Sequence, residues 1–375
     1  MTNSPAAQQP SCPRHCPHRD PAPSAGPLRP RLAPLVLTAL VLAAVVLPGC
    51  LAARFIPVKG PPLTTPQGVE VVRFAGGPIT PSREADANPD STLDAPPAAV
   101  ASGAPRVMLE GRMYPVESIN PDLLDRALRN RARLTKGPDR AVVLFCHGVF
   151  DNNASPMARL YRAAGYRVFQ FDYRGFGASD RNNASTIQGI IEDASAALDY
   201  LRSRPDVDPS RIVVAGHSMG GAMALAVAAR AERQGRPVSA VVAMAPFSNW
   251  RIAVSNNLGP VLAPLGFLVG GVDALNPTAH AAQLRRTPLL LVHARNDSII
   301  PAWHSDQLAK SNWAVGGRAQ ILLLPGGEHV GAFLDFPSYQ APIAAFIEHT
   351  LRDDTAPDPE GTEQTDAKLR EATGR

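Results

Sequence analysis

The chain has 375 residues, 45% of them hydrophobic and 19% charged, a globular composition that excludes a mostly disordered protein. Its formal charge is +4, yet four arginines (Arg14, Arg19, Arg29, Arg31) against Asp20 put +3 of that in the first 49 residues. The near-neutral remainder lacks the basic surface that nucleic-acid binding needs, so no nucleic-acid partner is expected.

Taken in chain order, the first feature is Leu32–Leu47, an uncharged and almost wholly apolar run behind arginines. At sixteen residues it is short for a bilayer span and suits the hydrophobic part of a signal peptide. It ends in Leu47-Pro48-Gly49-Cys50, which resembles a bacterial lipobox with Cys50 as the lipidated residue. Residues 1–50 are therefore expected to be an export signal and the protein a membrane-anchored envelope lipoprotein, its domain outside the cytoplasm. An uncleaved anchor is the rival reading. Cys12 and Cys16 lie ahead of this signal without a second ligand pair, so no metal site is expected from them. Residues 51–105, rich in Pro, Ala, Thr and Gly, read as a linker with an edge strand at Val69–Phe74.

The folded domain is expected over 106–352, opening with a strand at Arg106–Tyr114. Asn120-Pro121-Asp122 carries a helix-start signature, and the helix it opens runs to about Leu134. Ala141–Cys146 is a continuous apolar run, as a central strand buried on both faces requires. Cys146 at its end reads as a small buried hydrophobe. Further strands are expected at Tyr166–Tyr173, Ile212–Ala215, Ser239–Met244, Pro288–His293 and Gln320–Leu324, with helices at 186–203, after Gly221 and over Tyr339–Leu351. Strands alternating with helices predict an α/β fold with a mostly parallel, doubly wound sheet. The tail, 353–375, is polar with alternating charge and is expected to be disordered.

Gly216-His217-Ser218-Met219-Gly220 matches G-x-S-x-G in the strand–turn–helix context that the motif needs. Gly216 and Gly220 are the elbow glycines: a β-carbon at either would meet neighbouring backbone in so sharp a turn. The turn sets the Ser218 hydroxyl at the foot of a helix, where unpaired N–H groups favour developing negative charge.

Together with His147-Gly148, Asp172-Tyr173-Arg174-Gly175-Phe176-Gly177-Ala178-Ser179, Asp297-Ser298-Ile299-Ile300-Pro301 and Gly327-Glu328-His329, this motif resembles the α/β-hydrolase superfamily over roughly residues 138–351. The order of motifs looks most like the serine aminopeptidase / monoacylglycerol-lipase-like branch, with a departure at Ala294, where that branch often has Gly. The resemblance implies chain order Ser, acid, His, hence Ser218 as nucleophile, Asp297 as acid and His329 as base. It implies an oxyanion hole from the Met219 and Val149 amides, with Phe150 next in line. Asp172 is structural in such proteins, and Glu328, His293, His304 and His280 are weaker rivals for the acid and base roles. Pro246–Arg285 falls where this fold inserts a lid; it either shapes an acyl pocket or packs as a helix at the sheet edge. Neither metal nor organic cofactor is expected. The implied function is a serine hydrolase for carboxylic esters or thioesters with a small acyl-ester substrate. A serine peptidase and a non-catalytic envelope binding protein are the alternatives.

Overall fold

The structure is a computed structural model and describes residues 65–79, 105–116, 141–180, 186–253, 275–333 and 339–351. The expected signal peptide with Cys50, the helix over 121–134, the apolar stretch Leu258–Val272 and the tail 353–375 all lie outside the described residues.

Eight strands form one sheet: β1 (Glu70–Pro78), β2 (Arg106–Tyr114), β3 (Val142–Cys146), β4 (Arg167–Phe171), β5 (Ile212–His217), β6 (Ala240–Met244), β7 (Leu289–Ala294) and β8 (Gln320–Leu324). Their order is β1-β2-β4-β3-β5-β6-β7-β8. β1, β2 and β4 pair antiparallel, whereas every pair from β4–β3 to β7–β8 is parallel. The helices are α1 (Arg159–Ala163), α2 (Ile187–Ser203), α3 (Met219–Arg233), α4 (Pro277–Ala281), α5 (Trp303–Trp313) and α6 (Gln340–Thr350).

Continuous apolar strands are continuous because both faces are covered. Val142, Leu144 and Cys146 of β3 point into a core shared with α2, α3, α4 and α5. Val143 and Phe145 point the other way, into a core shared with α1 and α6. Each fully buried Val, Leu or Phe contributes roughly 1.5–3 kcal/mol, which makes the two layers the main source of stability. α3 is apolar on nearly every side (Ala222 to Ala229 are all buried) because it is enclosed by β5, β6, α2 and α4. α2 starts where Thr186 Oγ1 accepts the Gly189 N–H at 3.0 Å, a side-chain cap on the first turn.

Two expectations are corrected. The sheet begins at Glu70, so 106 is not its start: β1 pairs along β2 from Glu70↔Met113 to Pro78↔Arg106. The strand expected at Val69–Phe74 is thus real and longer, and Phe74 stacks on Tyr200 of α2 at 4.8 Å between ring centroids. Glycine and proline at 76–78 gave that segment a linker's composition. The strand expected at Tyr166–Tyr173 contracts to Arg167–Phe171, because Asp172 turns its carboxylate inward to accept the Asn153 N–H (2.8 Å) and the Ala178 N–H (3.1 Å).

Of the 246–285 insertion, the described ends meet. Trp250 Nε1–H donates to the Leu275 carbonyl and its amide to Asn276 Oδ1, both at 3.0 Å. Ala281 and Leu284 belong to the core, so the returning end, with α4, packs against α3 and α5.

α4 also carries His280, which is buried and has no partner for either ring nitrogen among the described residues. Burial, with Arg233 nearby, holds it neutral down to about pH 3. The unfolded chain protonates that ring near pH 6.5, so stability present above 6.5 is lost as the pH falls, by about 2 kcal/mol at pH 5. Thermal denaturation at pH 7 and pH 5 should show a Tm drop that His280→Leu reduces; equal drops in both proteins would clear His280 of the effect.

Candidate functional site

The site lies beyond the carboxyl ends of β3, β5, β7 and β8, where ligands bind in open parallel sheets. Ser218 joins β5 to α3 with φ 57° and ψ −120°, in the positive-φ region that non-glycine residues rarely adopt. The turn is pinned at both sides: the Ser218 amide donates to the Met244 carbonyl at 2.8 Å, and its carbonyl accepts the Gly221 amide at 2.9 Å. The elbow glycines have no room to spare. A Cβ on Gly216 would overlap the Gly220 carbonyl, and one on Gly220 would overlap the Cys146 carbonyl.

The loop after β3 crosses beside this turn. A Cβ on Gly148 would sit 3.8 Å from the Ser218 Cβ, which puts the chain leading into Val149 against the nucleophile candidate. His147 shapes the loop: its Nδ1–H donates to the Gly148 carbonyl at 2.7 Å, and its ring is wedged between Tyr173 and Phe176. Phe150 is 65% exposed and points away from the core, while Val149 packs against it. Met219 opens α3, so its amide belongs to the first helical turn, which has no intrahelical acceptors. Cys146 is enclosed and burial pushes its thiol up to about 12, which removes it as a rival nucleophile.

Asp297 and His329, 32 residues apart in sequence, meet at 2.7 Å, Nδ1–H donating to Oδ2. The other carboxylate oxygen accepts the Ile299 amide at 3.0 Å and the Ile300 amide at 2.8 Å. Burial alone would raise the Asp297 pKa. Hydrogen bonds from His293, His329 and the Ile300 amide win instead and hold it well below the usual carboxylate range. Asp297 is therefore ionised beside His329. Glu328 is drawn elsewhere, its Oε2 accepting the Ser298 hydroxyl at 2.7 Å, so it does not compete for the His329 ring. The Ser218 hydroxyl has no hydrogen-bond partner among the described residues, whereas the Asp297–His329 pair is closed.

Two histidines were undervalued by sequence reasoning. His293, the fifth residue of β7, donates Nε2–H to the Ile300 carbonyl at 2.7 Å and lies 3.5 Å from the Asp297 Oδ2 that His329 uses. Ser305 donates to its Nδ1 at 2.8 Å. His217, beside Ser218, faces the His329 ring at 4.8 Å between centroids. The only signal in the sequence was their placement at strand ends next to the motifs. His304 instead bonds Ser248 at the base of the insertion, and His280 stays in α4. Among the described residues no group of three or more His, Cys, Asp or Glu side chains is placed to hold a metal ion.

The sequence model of the prolyl oligopeptidase family matches residues 148–354, more than half of the chain. YfhR of Escherichia coli O157:H7 is 32% identical over 197 residues, 52% of this chain and 65% of YfhR. Human ABHD12B is 27% identical over 221 residues, 55% of this chain and 60% of ABHD12B. The chain thus matches less than two-thirds of the length of either relative. An esterase from Pyrococcus furiosus superposes with a TM-score of 0.54 at 17% identity, covering 80% of this chain and 98% of that one. A bacterial heroin esterase gives 0.52 at 18% identity, covering 86% and 92%. At these identities the two structures speak for the fold.

Proposed function

Because the chain belongs to the prolyl oligopeptidase family of the α/β-hydrolase superfamily, we propose that this serine hydrolase cleaves carboxylic esters or thioesters through an acyl-enzyme on Ser218. The observation that carries the reading is the 2.7 Å bond between His329 and Asp297, with His217, the residue before a serine held at φ 57°, bonded to the His329 carbonyl.

A serine hydroxyl is a poor nucleophile until a base removes its proton. In this mechanism His329 Nε2 takes the Ser218 proton as Oγ attacks the acyl carbonyl. Asp297 keeps the proton on Nδ1 and stabilises the imidazolium that forms. The oxyanion sits between the Met219 and Val149 amides, each worth about 3 kcal/mol in the transition state. His329 then protonates the departing alkoxide or thiolate, leaving the acyl group on Ser218. Water, deprotonated by the same imidazole, releases the acid and restores the serine.

A peptidase is the second reading, favoured by the family's name. The ester reading is supported by the lack of an acidic cap in the sequence to hold a free amine.

Treating the full-length chain with a fluorophosphonate probe tests both. Wild type should label, and Ser218→Ala and His329→Ala should not; an unlabelled but folded wild type would leave the binding-protein alternative standing. Comparing p-nitrophenyl esters of rising chain length with aminoacyl p-nitroanilides then separates esterase from peptidase.

A further inference from the structure

His217 occupies the variable position before the nucleophile, and nothing in the chemistry just described requires a histidine there. It is nonetheless committed. Its Nε2–H donates to the main-chain carbonyl of His329 at 2.8 Å, across 112 residues of sequence. The ring is 5% exposed, set edge-on to Phe333 at 5.2 Å and tilted against the His329 ring. Burial and the neighbouring His329 keep it neutral, with its pKa lowered to about 4. A carbonyl can only accept, so in the neutral ring the proton is on Nε2 and the bond is a permanent donor contact.

The remaining tethers of the site explain what this contact does. Ser218 is fixed to β6 through Met244 and to the first turn of α3. The loop bearing His329 is fixed to the loop after β7, through Asp297 and through the Ser298–Glu328 hydrogen bonds. Ser218 thus hangs on one set of hydrogen bonds and the Asp297–His329 pair on another. Among the described residues, the His217 bond is the hydrogen bond that joins β5 and its turn to the His329 loop. Without it the acid and base can move together, their own bond intact, while the distance from the imidazole to Ser218 changes.

We infer that His217 is a positioning residue, whose Nε2–H holds the His329 main chain, and through it the base, in register with the adjacent Ser218. The inference rests on the reading of Ser218 and His329 as nucleophile and base. It predicts that losing the donor slows acylation rather than weakening substrate binding, since a misplacement of about 1 Å at reacting groups costs about 100-fold.

The experiment uses the full-length chain. His217→Phe keeps a ring against Phe333 and loses the donor; His217→Asn, too short to span to the carbonyl, is a second donor-deficient variant should the first misfold. His217→Gln can carry an amide N–H toward the same carbonyl. Expected are a 10- to 100-fold fall in fluorophosphonate labelling rate and in kcat for Phe and Asn, KM within about three-fold, and recovery of most of the rate by Gln. In a His329→Ala background, which does not label, His217→Phe should leave the residual p-nitrophenyl ester turnover unchanged, because the group it positions is gone. Labelling of His217→Phe or His217→Asn within two-fold of wild type overturns the inference, as does an equal loss of turnover in the His329→Ala background. A wild type that fails to label is a different result, which removes the serine-hydrolase reading itself.

Discussion

Asp297→Asn is expected to lower kcat/KM for ester hydrolysis by about ten-thousand-fold with the fold intact. The asparagine oxygen can still accept the Ile299 and Ile300 amides, so the loop keeps its shape. Its NH2 group, however, replaces the oxygen that now accepts the His329 Nδ1–H at 2.7 Å, with His293 Nε2 3.5 Å away. A donor facing a donor forces His329 to turn its bare Nδ1 toward the amide and to carry its proton on Nε2. An imidazole in that tautomer cannot take a proton from Ser218. Steady-state kinetics, with circular dichroism to verify folding, measure the effect. Activity within ten-fold of wild type would mean that Asp297 is not the acid of this site.

The largest expected effect on stability is at Asp193, in the middle of α2 and fully buried. Its carboxylate accepts from Arg174 three times, from the amide at 2.8 Å, Nε at 2.9 Å and NH2 at 2.8 Å, and from the Gly77 amide of β1 at 3.1 Å. Gly77 is glycine because a Cβ there would press on the Arg174 guanidinium. One carboxylate thus ties β1, the loop after β4 and α2 together. Asp193→Ala should destabilise by about 3–5 kcal/mol, since it leaves a buried guanidinium without its principal counter-charge. In a domain of this size that is a Tm loss of about 10 °C. Hydrogen exchange should show β1 losing protection before β3 and β5, because the edge strand depends on this anchor. Replacing the pair together, Arg174→Met with Asp193→Leu, should recover much of the loss by removing both charges. A single mutant as stable as wild type would show that the ion pair does not hold β1.

How much of this was legible in the sequence followed the range of the interactions. β3, β5 and β6 announce themselves as apolar runs because each is buried on both faces, so every residue reports the same environment. The elbow is legible as a motif although only half of its reason is local: Gly216 avoids a clash with Gly220, four residues on, whereas Gly220 makes room for the Cys146 carbonyl at the end of β3. β1 was only half visible. Its Val72 and Phe74 read as a strand, but the Gly76-Gly77-Pro78 end resembles a linker until Arg174 and Glu192, about a hundred residues on, are seen to fill the space beside Gly77.

At the site, residue types and their order marked Ser218, Asp297 and His329, since strand-end loops and motif order are properties of the chain. Ionised carboxylate, closed Asp297–His329 pair and the tautomer of each ring are not. They depend on which donors reach the Asp297 carboxylate and which acceptors face each ring, and those partners come from the loop after β7 and the loop after β8. Glu328 shows the difference: adjacent to His329 in sequence, it is removed as a rival by a hydroxyl thirty residues away. By itself the sequence determined the α/β fold, the central strands and the turn at Ser218, because these show as burial patterns and a motif of fixed spacing. Only the tertiary structure decided what surrounds His329, because hydrogen bonds between distant segments leave no periodic trace in the chain that makes them.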